Sequence, residues 1–274
     1  MSTTVLDSII DGVRADLDTR RAATPLARIR DLAAETTAQR PAADVCARLD
    51  GRDTVGLIAE IKRSSPSKGA LADIPEPADL ARSYEAAGAT AISVLTEQRR
   101  FGGSLHDLDR VRTAVDIPLL RKDFTVEEYQ IYEARAHGAD IVLLIVAALT
   151  DAQLAEHLQL THELGMRALV EAHSADELER ALATDARLIG VNARNLKTLD
   201  LDLDGAAALL PTIPGDRFAI GESAVLKKAH VETYARHGAD AVLVGEALVT
   251  DGDPEATARD FLSVPAQTDE RRNR

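Results

Sequence analysis

Residues 57–69 read Leu57-Ile58-Ala59-Glu60-Ile61-Lys62-Arg63-Ser64-Ser65-Pro66-Ser67-Lys68-Gly69. A short, wholly apolar run of this kind predicts a strand buried on both faces, as in a parallel sheet covered by helices. The charges at its end belong at the rim, because the strand interior cannot solvate them. Hydroxyls, amides and cations come next, where a doubly wound nucleotide-binding sheet would normally show a G-x-G-x-x-G turn. The stretch therefore favours a closed barrel. The same grammar returns in PLLRKDF, ALVEAH, LIGVNARNLKTL, FAIGES and AVLVGEAL, apolar runs that each end in a residue able to do chemistry.

Working outward, strands are predicted at 55–61, 90–95, 117–121, 140–145, 167–171, 187–191, 217–221 and 240–245. Helical segments such as 126–137, 151–164, 174–183 and 227–237 lie between them. This alternation suits the α/β class and, within it, a (β/α)8 TIM barrel. Gly88-Ala89-Thr90, Gly138-Ala139-Asp140 and Gly238-Ala239-Asp240 each read as a helix end turning into a strand through a left-handed glycine. Residues 1–50 read as a helical extension packed on the barrel: Val5, Ile9, Ile10 and Val13 fall near helical spacing, and Pro25 and Pro41 interrupt the helical pattern beyond them. No Gly-, Pro- or Ser-rich linker divides the chain, so 1–274 is expected to form one barrel domain, with a polar, frayed tail at 265–274.

A net charge of −13 argues against a general nucleic-acid surface. The single cysteine, Cys46, cannot close an intramolecular disulfide, which fits a reducing cytoplasm. No apolar run approaches the roughly 20 residues needed to span a bilayer, and MSTTVLDSII lacks a secretory layout. The expectation is a cytoplasmic protein with neither nucleic-acid nor membrane partners.

If the strands run parallel in a barrel, one rim gathers Glu60, Lys62, Lys122, Glu171, Asn192 and Glu222. Glu60 and Lys62, two apart, point the same way; alone they would most often be a structural ion pair, but Ser65 and its neighbours add a plausible anion-binding loop. Lys122, placed near other cations, is expected to have a lowered pKa suited to a general acid; a snorkelling surface lysine is the ordinary alternative. Glu171 is either a salt-bridge partner or a base. Asn192 can orient a polar substrate, and Arg194 offers a planar fork for carboxylate or phosphate. Gly221-Glu222-Ser223 and Val244-Gly245-Glu246 lie at the ends of the last two strands, where such barrels commonly bind phosphate. The histidines show no metal-like pattern, and no metal or cofactor is expected.

Taken together, these motifs resemble the indole-3-glycerol phosphate synthase family. IAEIKRSSPSKG, SVLTEQRRFGGSLHDL, LLRKDFTVEEYQIYEARAHGAD, LVEAH, IGVNARNLKTLDLDL and GADAVLVGEAL carry the likeness, which runs from about residue 5 to residue 262. The resemblance implies cofactor-free closure of the indole ring of 1-(2-carboxyphenylamino)-1-deoxyribulose 5-phosphate, with loss of CO2 and water. It implies Lys122 as the general acid on the ketone oxygen, Glu171 as base in dehydration, and Lys62 as partner of the substrate carboxylate. Glu60, Asn192 and Glu222 would orient hydroxyls and catalytic groups. Ser65, Arg194, Ser223, Gly245 and Glu246 would contact substrate, its phosphate toward the last two strands. Phe101, Phe124, Leu143, Leu196 and Leu199 match the apolar wall for the anthranilate ring. Other enzymes of tryptophan biosynthesis are the candidate protein partners.

Three positions depart from the family pattern. Ala224 stands where glycine is frequent, so its methyl is expected to crowd the phosphate or demand a negative φ. Asn195 replaces a usual aspartate, removing a partner for Arg194. Glu246 replaces a small residue and is tolerable if its carboxylate points away. Two other readings compete: a phosphoribosylanthranilate isomerase-like barrel, which would need a cysteine/aspartate pair, and a catalytically silent barrel that binds a phosphorylated ligand.

Overall fold

The computed structural model describes residues 4–196 and 198–267. Eight parallel strands close into a barrel: β1 (Gly56–Ile61), β2 (Ala91–Leu95), β3 (Leu119–Lys122), β4 (Ile141–Ile145), β5 (Arg167–Ala172), β6 (Leu188–Asn192), β7 (Phe218–Glu222) and β8 (Ala241–Val244). Each pairs in parallel with its sequence neighbours, and β8 closes on β1 with Gly56 opposite Ala241. All eight are legible as apolar runs because both faces are buried, one toward the barrel interior and one toward the helices. Several strands extend a residue further than the apolar pattern suggests. Glu60, Lys122, Glu171, Asn192 and Glu222 lie within the strands, at or near their last residues, and not beyond them.

Three helices precede the barrel: α1 (Val5–Ala23), α2 (Leu26–Gln39) and α3 (Val45–Leu49). After each strand come helices α4 (Pro77–Ala87), α5 (Leu105–Ala114), α6 (Glu128–Ala136), α7 (Asp151–Glu163), α8 (Ala175–Leu182), α9 (Leu203–Leu209) and α10 (Lys228–Arg236), with α11 (Glu246–Thr250) and α12 (Pro254–Leu262) after β8. Gly88, Gly138 and Gly238 have φ of 95°, 79° and 85°, as the repeated Gly-Ala-Thr/Asp turns require.

The preceding helices divide the barrel surface among them, a finer arrangement than a single packed extension. α1 covers the mouth through Leu6, Ile9 and Val13, which pack with Phe124, Leu143 and Ile145 at the C-terminal end of the strands. α2 descends along α6, where Thr36 and Arg135 bond across the contact. α3 closes the base: Leu49 reaches the start of β1 at Gly56, and buried Val45 and Cys46 join the interior cluster of Ile58, Leu120 and Leu169. Asp140, fully buried at the foot of β4, anchors this strap. It accepts bonds from the Ala43 amide (2.9 Å), Arg40 (3.0 Å), Arg112 (3.0 Å) and the Leu119 amide (2.9 Å). Most of the expected frayed tail, 268–274, lies outside the described residues.

Candidate active site

The C-terminal rim carries a concave, mixed polar and apolar cleft of the kind that takes small molecules. All the residues singled out from sequence line it: Glu60, Lys62, Ser65, Phe101, Lys122, Phe124, Leu143, Glu171, Asn192, Arg194, Leu196, Leu199, Glu222, Ser223, Gly245 and Glu246. One wall is apolar, with the Phe101 and Phe124 ring centroids 6.1 Å apart and Leu143 and Leu196 in the same cluster. Ile9 from α1 completes it. The Glu97 carboxylate fixes the loop that carries Phe101, accepting from the amides of Arg99 (3.1 Å), Arg100 (2.7 Å) and Phe101 (3.0 Å).

The floor is ionic. Lys122 Nζ lies 3.3 Å from Glu171 Oε2 and 3.9 Å from Glu222 Oε2. Lys62 Nζ pairs with Glu60 Oε1 at 2.9 Å, and Ser93 Oγ donates to Glu60 Oε2 at 3.2 Å. These residues come from β1 and the residue just after it, and from β2, β3, β5 and β7, so the barrel brings together groups that are far apart in sequence. Two glycines make room for the carboxylates. A Cβ at Gly190 would stand 2.1 Å from Glu222 Oε1, and one at Gly245 would stand 2.6 Å from Glu60 Oε1.

The cluster corrects one expectation outright. Lys122 is ringed by carboxylates, not cations. Burial alone would depress its pKa, but the charges of Glu171, Glu222 and Glu60 outweigh it and raise the ammonium above its ordinary range. The two buried carboxylates diverge. Burial opposes ionisation of Glu171, yet Lys122 and His173 hold it well below the usual range. Glu222, buried beside it, is driven well above that range by desolvation and by the Glu171 charge. The two carboxyl groups around the one ammonium are thus pushed in opposite directions.

His173 is absent from the candidates drawn from sequence, yet its Nε2 lies 3.2 Å from Glu171 Oε1 and its Nδ1 lies 3.0 Å from Glu177 Oε2. The signal is present as Glu171-Ala172-His173 with Glu177 beyond, the histidine two residues from one carboxylate on a strand end and four from the other.

In the loop after β6, Arg194 Nη1 donates to the Leu199 carbonyl (3.1 Å), and its backbone amide donates to Asn192 Oδ1 (2.9 Å). Asn195 takes another part than a partner to Arg194, its Oδ1 accepting from the Thr198 amide at 3.3 Å. Ser223 and Ala224 keep φ of 64° and 57°, so the alanine does not relax to a negative φ as expected; the loop holds it in the left-handed region. The Glu246 carboxylate pairs with Lys68 from the loop after β1, and both residues line the cleft. That loop also carries a short hairpin (Ser64–Ser65 with Gly69–Ala70) and is tied down by Arg63, bidentate to Asp107 at 2.6 and 3.0 Å.

Cys46 sits at the base of the barrel, buried and pushed up to about 11 by desolvation, so no thiol reaches the cleft from it. Among the described residues no group of three or more His, Cys, Asp or Glu is arranged to hold a metal ion, and no helix is long and apolar enough to cross a membrane.

Fold and cleft define an enzyme of the (β/α)8-barrel class, with its ionisable groups at the C-terminal ends of the strands. Among solved structures, the fold is similar to that of a 3-hexulose-6-phosphate synthase (TM-score 0.62, 20% identity, 77% of this chain and 100% of that one). It is also similar to a thiamine phosphate pyrophosphorylase from Pyrococcus furiosus (TM-score 0.55, 14% identity, 76% and 94%); both likenesses concern fold alone. The sequence is more specific. The family profile described as indole-3-glycerol phosphate synthase matches residues 6–261. An indole-3-glycerol phosphate synthase of Micrococcus luteus is 60% identical over 95% of this chain and 97% of its own length. One from Mycobacterium sp. strain KMS is 56% identical over 96% and 95%. The chain belongs to the indole-3-glycerol phosphate synthase family.

Proposed function

We propose that this cleft closes the indole ring of 1-(2-carboxyphenylamino)-1-deoxyribulose 5-phosphate, releasing CO2 and water and leaving indole-3-glycerol phosphate, with Lys122 and Glu171 as the proton-transfer residues. The observation that carries the reading is the contact of the half-buried Lys122 ammonium with the buried Glu171 carboxylate in an aromatic-walled cleft. The anthranilate ring lies against Phe101, Phe124, Leu143, Leu196 and Leu199. The phosphate lies toward Arg194, Ser223 and the Gly245–Glu246 turn. Fixing both ends of a flexible sugar phosphate brings the aromatic carbon to the ketone and removes much of the entropic cost of closure.

Lys122 gives its proton to the ketone oxygen as the new carbon–carbon bond forms. A strongly basic lysine suits this as a charge held against developing alkoxide, and the oxygen accepts the proton once that charge has built up. Loss of CO2 then returns electrons to the ring. Glu171 takes the proton released on dehydration, while Lys62, paired with Glu60, meets the substrate carboxylate and assists departure of hydroxide. Asn192 and Glu222 hold hydroxyls. No metal, nucleotide or other cofactor takes part, the compartment is the cytoplasm, and pathway neighbours are the protein partners.

Removing one general acid or base costs roughly 10²–10⁴ in rate. Lys122→Ala and Glu171→Gln are therefore each expected to lower kcat by that order while still binding indole-3-glycerol phosphate, as steady-state kinetics and calorimetry would report. A Lys122→Ala variant with wild-type kcat would leave a phosphate-binding barrel with its chemistry elsewhere.

A further inference from the structure

One histidine outside the lining of the cleft touches a carboxylate inside it. His173 lies one residue beyond β5, and its side chain is only 7% exposed. Both ring nitrogens face carboxylate oxygens: Nδ1 is hydrogen-bonded to Glu177 Oε2 at 3.0 Å, and Nε2 stands at ion-pair distance, 3.2 Å from Glu171 Oε1, outside hydrogen-bond geometry. A neutral imidazole carries one hydrogen, so one nitrogen would then turn a lone pair toward an anion in a buried site. Only the doubly protonated ring presents positive charge and an N–H toward both carboxylates.

Glu177 is held in turn. It is the third residue of α8, its amide donating to the capping Ser174 hydroxyl at 3.2 Å, and Oε2 also accepts the His173 amide at 2.8 Å. The helix start thus fixes Glu177, Glu177 fixes the ring, and the ring addresses one oxygen of Glu171. The other oxygen, Oε2, is the one that meets Lys122. A carboxylate gripped at each oxygen by a different cation has little rotational freedom.

We propose that His173, locked by Glu177, is a positioning residue for the reaction: it fixes the orientation of the Glu171 carboxylate beside Lys122. The inference rests on the reading of Glu171 as the base. The groups facing the ring are Glu171 from β5 and Glu177 from α8; Lys122 of β3 and Glu222 of β7 act on it through Glu171. Burial disfavours the imidazolium, but the two carboxylates prevail and push His173 up to about 9. The ring is therefore cationic through the neutral range and loses its proton on the alkaline side.

The test compares kcat, KM and their pH profiles for the wild type, His173→Gln, Glu177→Gln, the double variant and Glu171→Gln. Misplacing a reacting group by about an ångström costs up to roughly 10²-fold. His173→Gln should lower kcat by roughly 10- to 100-fold with KM within about twofold, and should shift or abolish an alkaline limb near pH 9. Glu177→Gln should do the same more mildly, and the double variant should be no worse than His173→Gln alone, because the two act through one carboxylate. Wild-type kcat and an unchanged pH profile in His173→Gln, with only thermal stability lost, would overturn the proposal and leave a structural brace. Should that variant not fold, NMR titration of His173 in the intact enzyme decides: a midpoint near 9 that falls in Glu177→Gln supports the relay, and an ordinary midpoint near 6.5 overturns it. If Glu171→Gln retains full turnover, it is the assignment of the base that fails, a result distinct from any obtained with His173.

Discussion

Lys122 shows how far a residue's chemistry depends on partners that its own segment does not contain. The LLRK segment announces a buried strand ending in a cation, but nothing near it in sequence reveals that carboxylates from β1, β5 and β7 converge on that ammonium. The direction of its basicity is therefore opposite to the one its sequence neighbours suggest. Glu171 and Glu222 pose the same problem, since two similar strand-end glutamates end up on opposite sides of the ordinary carboxylate range. Ala224 is a local case. The position is recognisable as unusual, but only the backbone shows that its left-handed φ is retained. An alanine there costs about 1–2 kcal/mol, while glycine gives back about 0.4–1 kcal/mol through the unfolded chain. Ala224→Gly should thus stabilise the protein slightly, raising the melting temperature by about 1–3 °C, and should lower KM by easing the phosphate turn. Thermal denaturation and steady-state kinetics check both; a lower melting temperature would show that the loop already accommodates the methyl without strain.

At the scale of elements, strands are legible in the sequence and the first three helices only partly so. A strand buried on both faces writes itself as an unbroken apolar run, whereas the destination of an amphipathic helix depends on which barrel surface is left open. α1, α2 and α3 occupy the mouth, flank and base, a division invisible in helical spacing. The consequence is a sharper deletion than removal of the whole extension. Taking away residues 1–23 uncovers the cleft beside Ile9 and breaks the Arg99–Asp16 pair (2.7 Å), but leaves α3 and the Asp140 anchor in place. Such a variant should fold, keep kcat within a few fold and show a raised KM. Removal through residue 45 should in addition destabilise the barrel, because it strips the Ala43 and Arg40 contacts from buried Asp140. Unchanged KM in the shorter deletion would mean that α1 does not shape the aromatic pocket.

For the whole molecule, the ionic floor makes stability depend on pH from both sides. His173 has a folded pKa raised to about 9, so its contribution is complete below about 6.5 and is lost as pH rises through 9. Glu222 is raised, so its contribution is complete below about 4.5 and is lost as pH rises through its raised folded value. Glu171 is depressed, so its contribution is present above about 4.5 and disappears as pH falls. Melting temperature should therefore decline on both sides, and His173→Gln should flatten the decline between about pH 6.5 and 9; a decline as steep in the variant as in the wild type would assign it to other groups.

The central claim is that this barrel performs ring closure through Lys122. The most direct measurement tracks indole fluorescence on adding 1-(2-carboxyphenylamino)-1-deoxyribulose 5-phosphate to the purified chain without metal or nucleotide, beside Lys122→Ala at equal concentration. Steady formation of indole-3-glycerol phosphate is expected from the wild type, and a rate lower by roughly 10²–10⁴ from the variant. A folded wild-type protein that leaves the substrate unchanged, or a variant that turns it over equally fast, would contradict it.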